Sequence, residues 1–308
     1  MAVGTTATTQ TALKQYWNDL FIEFLVDNLA MKGLTQRTSV PKGSGTTVWW
    51  VGYSKVSASG ALLTEGADPT ARSSATRRVS GVLKEYGNLV KNSRLFMDSS
   101  ITGVREQIMK DLARDAARTL DDVALTTALA GSNVVYGGAA TTRATVVKAS
   151  TATVKLVRRA TRALQLSSVP TFPDGKYVGL IHPDVAFDLQ TDSAWLDVVR
   201  YRDTVKYDIA GEVGSLYGVR FASAPTIPVL NNSGSASAHD VYRTLVFGPG
   251  FVGQSDLGEL EVIMNEPGRG SELRQFNTYG YRFVVATGLL HNARGIRLES
   301  AATLATTP

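Results

Sequence analysis

Apolar side chains recur along this chain in two periods, and the points where each period starts and stops predict most of its elements. Residues 1–10 (MAVGTTATTQ) show neither period and read as a flexible arm. From Thr11 the positions Leu13, Tyr16, Trp17, Leu20, Phe21 and Phe24 step by threes and fours, which predicts an amphipathic helix. Its other side carries Lys14, Asp19, Glu23 and Asp27, a face that suits packing against protein and not an anionic lipid surface. The turn cluster Pro41 to Gly45 feeds TTVWWVGY (46–53), β-branched and aromatic, which reads as a strand. From Ser54 to Ala75 the chain is nearly all small residues and charge, apart from Leu62 and Leu63; RRVSGVLKEYGNLV (77–90) is strand-like again. Two strands around a core-poor middle predict a hairpin that projects from its domain. Arms of up to ~20 residues would reach ~65 Å at about 3.3 Å per residue. A disordered surface loop is the alternative, but structureless loops this long are uncommon in compact domains and the flanking strands favour a built arm.

Beyond the hairpin the helical period returns. Asp98, Ser99 and Ser100 offer N-cap side chains, and Ile101, Val104, Ile108, Leu112, Ala116, Leu120 and Val123 form a stripe. Glu106 with Lys110, and Arg118 with Asp122, add i, i+4 pairs, and Gly131 is a plausible stop. Such a helix would be ~45 Å long, a backbone for other elements. Residues 131–150 are again small and rich in Gly and Thr. A second helix is predicted over 151–166, with Leu156, Val157, Ala160, Ala163 and Leu164 inward and Lys155, Arg158, Arg159 and Arg162 on its polar side. Pro170 to Gly175 breaks the chain, YVGLIH reads as a buried strand, and Pro183-Asp184 opens another helix. GVRFAS and TLVFGPG read as strands separated by a loop with Pro225 and Pro228. After a turn at Pro267 to Gly270, residues 279–290 and 293–300 close the pattern as strands. The class is α+β.

Composition narrows the chemistry. The chain has 308 residues, 44% hydrophobic, which excludes a disordered polymer, and 19% charged, against about 25% in an average globular protein. The absence of cysteine excludes disulfide scaffolds, thiolate zinc sites, iron–sulfur clusters and cysteine nucleophiles. Asp19, Glu23 and Asp27 interrupt the N-terminal apolar stretch, so neither a secretory signal nor a spanning helix is expected and synthesis in the cytoplasm is the default. The formal net charge is +5. It divides as 17 basic and 12 acidic side chains in residues 1–150 against 15 and 15 in the remainder. The 151–166 helix carries four cations and no acid, whereas residues 174–212 hold eight acids and four bases. Oppositely charged faces are expected, either as two solvated surfaces or with the basic one facing a polyanion.

The catalytic search is sparse. GPGFVG (248–253) matches G-x-G-x-x-G after the strand TLVF, but a dinucleotide site needs a helix to begin there. Pro249 stiffens the turn and QSDLGELEV lacks helical period, so a glycine turn between strands is the better reading. His182, His239 and His291 lie far apart without metal-ligand spacing, and His182 before Pro183 reads as a strand-end residue. Asp121 and Asp122 point about 100° apart on a helix, which does not make an acid/base pair. Asn231-Asn232-Ser233 is a glycosylation sequon by letter only. No catalytic residue, cofactor or metal is expected.

The order of parts is specific: arm with amphipathic helix, projecting hairpin, long helix, mixed domain, returning strands. It resembles the major capsid proteins of tailed bacteriophages, which share the HK97-type fold. Local wording is similar to the coliphage N4-like capsid proteins: Leu63-Thr64-Glu65-Gly66 and Tyr86-Gly87 in the hairpin, then His182-Pro183-Asp184, GEVGSLYGVRF (211–221) and TLVFG (244–248). That resemblance implies an N-terminal arm over 1–40, an extended loop over 41–92, a peripheral domain over 93–150 and 266–308 with the long helix as its spine, and an axial domain over 151–265. It implies a non-enzymatic coat protein that assembles into pentamers and hexamers around packaged double-stranded DNA. A separate scaffolding protein, a portal and a decoration protein would be its partners, with no membrane. The hairpin would make intersubunit contacts through Trp49, Trp50, Tyr53, Lys55, Leu63, Glu65, Asp68 and Arg72, and Arg158, Arg159 and Arg162 would face the lumen and its DNA. The alternatives are a cargo-enclosing nanocompartment shell of the same fold and a nucleotide-dependent enzyme using the 248–253 turn.

Overall fold

YVGLI is apolar without alternation, and such a run is stable as a strand only where both faces of its sheet are covered. The computed structural model covers it on both. The structure describes residues 21, 31, 33–41, 43, 45–53, 65–66, 75–99, 103–195, 212–235, 239–257, 260–265 and 275–304. The strands, in chain order, are β1 (Gln36–Ser39), β2 (Thr47–Tyr53), β3 (Thr76–Val82), β4 (Lys84–Ser93), β5 (Val134–Tyr136), β6 (Tyr177–Ile181), β7 (Glu212–Leu216), β8 (Val219–Ser223), β9 (Tyr242–Phe247), β10 (Val252–Asp256), β11 (Glu261–Asn265), β12 (Phe276–Leu289) and β13 (Gly295–Ser300). The helices are α1 (Arg94–Ser99), α2 (Val104–Leu129), α3 (Val154–Leu166) and α4 (Pro183–Thr191).

Six strands pair in the order β5-β13-β9-β6-β8-β7, with all of β6 buried. One face of this sheet packs under α3 and α4: Leu156, Val157, Ala160 and Leu164 meet Tyr177, Ile181, Tyr242, Val246 and Leu298. The other face takes the second half of α2, where Ala124, Leu125, Ala128 and Leu129 meet Val178, Leu180, Leu245 and Phe247. A second, five-stranded sheet is built around the 14-residue β12, which pairs with β4 along one edge and with β11 and then β10 along the other; β1 adds in parallel to β10. The first half of α2 lies on it, with Met109, Leu112, Ala113 and Ala116 against Tyr279, Tyr281, Phe283 and Val285. One helix therefore braces two sheets. Its buried stripe is rich in alanine and rotated from the expected one, with Ile108, Leu120 and Val123 half-buried at its margin.

Two polar devices fix α2 in place. Tyr281 donates to Asp115 Oδ2 at 2.6 Å; burial, and then this hydrogen bond, push its phenol up to about 12. At the other end Arg297 donates to the carbonyls of Leu129 and Gly131, orphan acceptors at a helix C-terminus. The same guanidinium donates to Glu299 Oε1 at 2.8 Å, while Arg143 grips both oxygens of that carboxylate at 2.9 and 2.6 Å. Glu299 is fully buried. Burial alone would raise its pKa, but the hydrogen bond and charge of Arg143, with Arg297, hold it below the usual carboxylate value.

Several boundaries differ from those expected. The long helix starts at Val104, after Gly103 at φ 103°, and not from an N-cap at Asp98 to Ser100: Asp98 and Ser99 belong to α1, and Ser100 and Ile101 lie outside the described residues. The expected Glu106–Lys110 pair forms at 3.0 Å. The run 77–90 is two strands broken at Leu83, whose N–H bonds Thr46 O. Its first part pairs with β2, whereas β4 pairs with β12. Sheet membership also crosses residue 265: β10 and β11 join β12, while β13 joins β9. Of the expected N-terminal helix, Phe21 is described and fully buried beside Tyr281, with ring centroids 6.0 Å apart; the other residues from Thr11 to Ala30 lie outside the described ones. Among the described residues no helix is long and apolar enough to cross a membrane.

Candidate functional site

The feature that no internal packing explains is the two-stranded ribbon of β2 and β3. Its strands pair antiparallel from Thr47↔Val82 to Tyr53↔Thr76. Side chains alternate between faces along a strand, so the neighbours Trp49 and Trp50 point in opposite directions. The inner face seats the ribbon. Val48 and Trp50 cluster with Ala286 and Leu290, with Val40, Val79 and Leu83 alongside. Trp50 is wedged between two glycines: a Cβ built on Gly81, or on Gly288, would lie 2.7 Å from the same indole carbon. Glycine inside a strand often marks such a close approach. Further along the same face Arg77 meets His291 Nδ1 at 3.4 Å. Burial, then the charges of Arg294 and Arg77, lower the His291 pKa and favour the neutral ring that can accept this contact.

The outer face packs against none of the core clusters among the described residues. Trp49 is 60% exposed and Tyr53 77%, with Val51 between them and Val82 opposite Thr47, both more than half exposed. The expected contact residues therefore divide. Trp49 and Tyr53 stand on the open face, whereas Trp50 is committed to the subunit's own core. Glu65 is exposed in a turn completed by Gly66 at φ 82°. Lys55, Leu63, Asp68 and Arg72 lie outside the described residues. Sequence periodicity located the ribbon but not its seat. Gly81, Gly288 and Leu290 were missed, and the two strand glycines are the signal in the sequence that points to the seat.

A second exposed feature is the polar side of α3. Lys155, Arg158, Arg159 and Arg162 are all exposed there, and the Arg158 guanidinium lies 5.1 Å from the ring centre of Tyr217 in the β7–β8 turn. The helix begins at Val154, three residues later than expected, where Asp192 Oδ2 accepts the Val154 N–H at 3.0 Å.

The turn at 248–253 leads into β10 and not into a helix. Pro249 O accepts from Arg294 at 2.8 Å, and a Cβ on Gly250 would strike that guanidinium. It has none of the amide cradle that a pyrophosphate needs. His182 caps α4, accepting the Asp184 N–H at 3.3 Å, and burial lowers its pKa against the pull of Asp184.

The sequence model of a family described as phage capsid protein matches residues 78–298. The chain belongs to that family. Its solved-structure neighbours share the fold across their length. The capsid of Ralstonia phage GP4 superposes with a TM-score of 0.70 at 16% identity, over 89% of this chain and 88% of that one. The cyanophage Pam1 capsid gives 0.69 at 15%, over 91% and 92%, and the head of Helicobacter pylori bacteriophage KHP40 gives 0.64 at 12%, over 89% and 91%. Among curated protein sequences none matches. The fold is the mixed α+β fold of HK97-type capsids. The molecule is a phage capsid protein, a structural component of the virion. The nanocompartment and dinucleotide-enzyme readings give way to it.

Proposed function

We propose that the ribbon is the element by which one capsid subunit grips the next, in an icosahedral shell of pentamers and hexamers that encloses double-stranded DNA. One observation carries this reading: a ribbon seated on its inner face presents Trp49, Val51 and Tyr53 outward, exposed among the described residues. Tryptophan and tyrosine are the residues most enriched where interfaces concentrate binding energy. Glu65 belongs to the same proposed contact, together with Lys55, Leu63, Asp68 and Arg72, which lie outside the described residues. A shell repeats each contact many times, so a modest interface suffices per subunit. The domain names attach to the sheets in this reading: the five-stranded sheet with the first half of α2 is peripheral, and the six-stranded sheet with α3 and α4 is axial. The motifs at 63–66, 86–87, 182–184, 211–221 and 244–248 support placement in the N4-like branch. A separate scaffold, a portal and a decoration protein complete the assembly.

The test is deletion of residues 57–72, which removes the outer hairpin and leaves β2, β3 and the seat intact. The expected result is a folded subunit, by circular dichroism and cooperative melting, that forms no closed particles by electron microscopy. Closed particles from this variant would overturn the gripping role.

A further inference from the structure

We infer that the outer face of α3 is a contact surface for the phosphodiester backbone of nucleic acid. This deepens the shell reading above and rests on it. Several cations elsewhere are matched by acids: Lys110 with Glu106, Arg220 with Asp174 at 2.9 Å, Arg282 with Glu261 at 2.7 Å, Arg143 and Arg297 with Glu299. What sets α3 apart is that its cations are clustered on one element. On α3, Lys155, Arg158, Arg159 and Arg162 have no acidic partner among the described residues, and the helix itself contains no acid. They recur at i, i+3, i+4 and i+7, which places them on one helix face over ~10 Å at 1.5 Å per residue. The opposite face, Leu156, Val157, Ala160 and Leu164, is locked into the six-stranded sheet, so the charges sit on a rigid element.

Tyr217 adds to the arrangement. Its ring stands beside Arg158 and is 43% exposed, at φ 46° in the tight turn before Gly218. A guanidinium held on an aromatic face loses less freedom when it engages a phosphate. Four unpaired cations without acids among them suit a ligand of closely spaced negative charge, and duplex DNA carries one charge per ~1.7 Å of axis. Contacts to phosphate carry no sequence information, so the contact expected here is independent of sequence.

The experiment titrates a fluorescently labelled 20-base-pair duplex with the unassembled full-length chain, by anisotropy across a salt series. If all four cations engage, binding falls about 150-fold between 50 and 200 mM salt, and the triple variant Arg158→Gln/Arg159→Gln/Arg162→Gln loses about three units of log–log slope. Lysine at the same three positions keeps most of the slope. An unchanged slope in the glutamine variant overturns the proposal. So does displacement of the duplex by polyglutamate at equal charge, which would assign the face to an acidic protein segment. Particles counted by electron microscopy after the same chains are brought to assembly conditions report on the shell separately. Closed particles with an unchanged slope sink the α3 assignment alone, and absent particles with a charge-dependent slope sink the shell reading alone.

Discussion

The six-stranded sheet and the β2–β3 ribbon treat apolar side chains in opposite ways. In the sheet every residue of β6 is buried, helices cover both faces, and even its one deeply placed carboxylate, Glu299, meets two guanidiniums. In the ribbon only one face is covered, by a small cluster around Trp50, and the other leaves Trp49 60% exposed. An isolated two-stranded ribbon is marginal in water. Among the described residues the sheet is thus covered on both faces, whereas the ribbon keeps one face open. In the proposed reading the adjacent tryptophans divide two duties: Trp50 holds the ribbon to its own subunit, and Trp49 is offered to the next.

The comparison breaks most sharply at the sheet. Glu299→Gln keeps the shape of the side chain but leaves Arg143 and Arg297 without their counter-charge. Stripping one member from a buried ion network costs about 3 kcal/mol, the low end of the usual range because Arg143 is itself 40% exposed. Urea denaturation of the unassembled subunit should show this loss. Its pH dependence has a definite sign. The folded-state pKa of Glu299 lies below its ordinary value, so the carboxylate's contribution is fully present above the unfolded pKa of about 4.3 and disappears as pH falls through the folded one. The gap between wild type and variant should therefore narrow as pH falls from the unfolded pKa of about 4.3 through the lower folded one; a constant gap over that fall would show that charge is not what Glu299 contributes.

Trp50→Ala attacks the other side of the comparison and costs less globally. Core tryptophan truncations cost about 3–5 kcal/mol. Here the ribbon can lift from its seat without opening either sheet, so the expected loss in global unfolding free energy is about 2 kcal/mol. Hydrogen exchange locates the effect: amides of β2 and β3 lose protection while those of β6 and β9 keep theirs. Uniform loss across both regions would mean that the ribbon and the sheets unfold as one unit.

The parts legible in the sequence were those that carry their own local signal. The β6 run, the α3 face, the helix opening at Pro183 and the two ribbon strands announce themselves by an unbroken apolar run, alternation, helical spacing or a cap. Short strands did not. β1, β5, β7, β10 and β11 have 3 to 5 residues each, too few for a period to show, and three of them are held mainly by β12 or β13 as templates. The break at Leu83 was hidden because both halves of 77–90 are strands, and only the choice of partner separates them. The start of α2 was misplaced because Asp98 and Ser99 satisfy the cap rule yet sit in a separate short helix, with Gly103 making the turn between. At the ribbon, residue type revealed aromatic strands that needed cover. Which tryptophan faced inward depended on the glycines of β3 and β12, far apart in the chain.

The smallest expected change in stability sharpens the comparison furthest. Trp49→Ser alters a side chain that is already mostly in solvent, and substitutions away from packed features usually move stability by no more than ~0.5 kcal/mol. Serine also keeps the alternation intact, because the Trp49↔Ser80 pair lies on the outer face and bears on nothing beneath the ribbon. Denaturation midpoints and ribbon hydrogen exchange should therefore match wild type, in contrast to Trp50→Ala. Assembly should not match: the yield of closed particles by electron microscopy, and the critical concentration by light scattering, should worsen by an order of magnitude or more, since one lost anchor of about 1.4 kcal/mol is tenfold in an association constant and each subunit in a shell makes the contact. If Trp49→Ser assembles at the wild-type concentration, the exposed face of the ribbon is not an interface. The division of labour between the two tryptophans then fails, even though the seat of Trp50 stands.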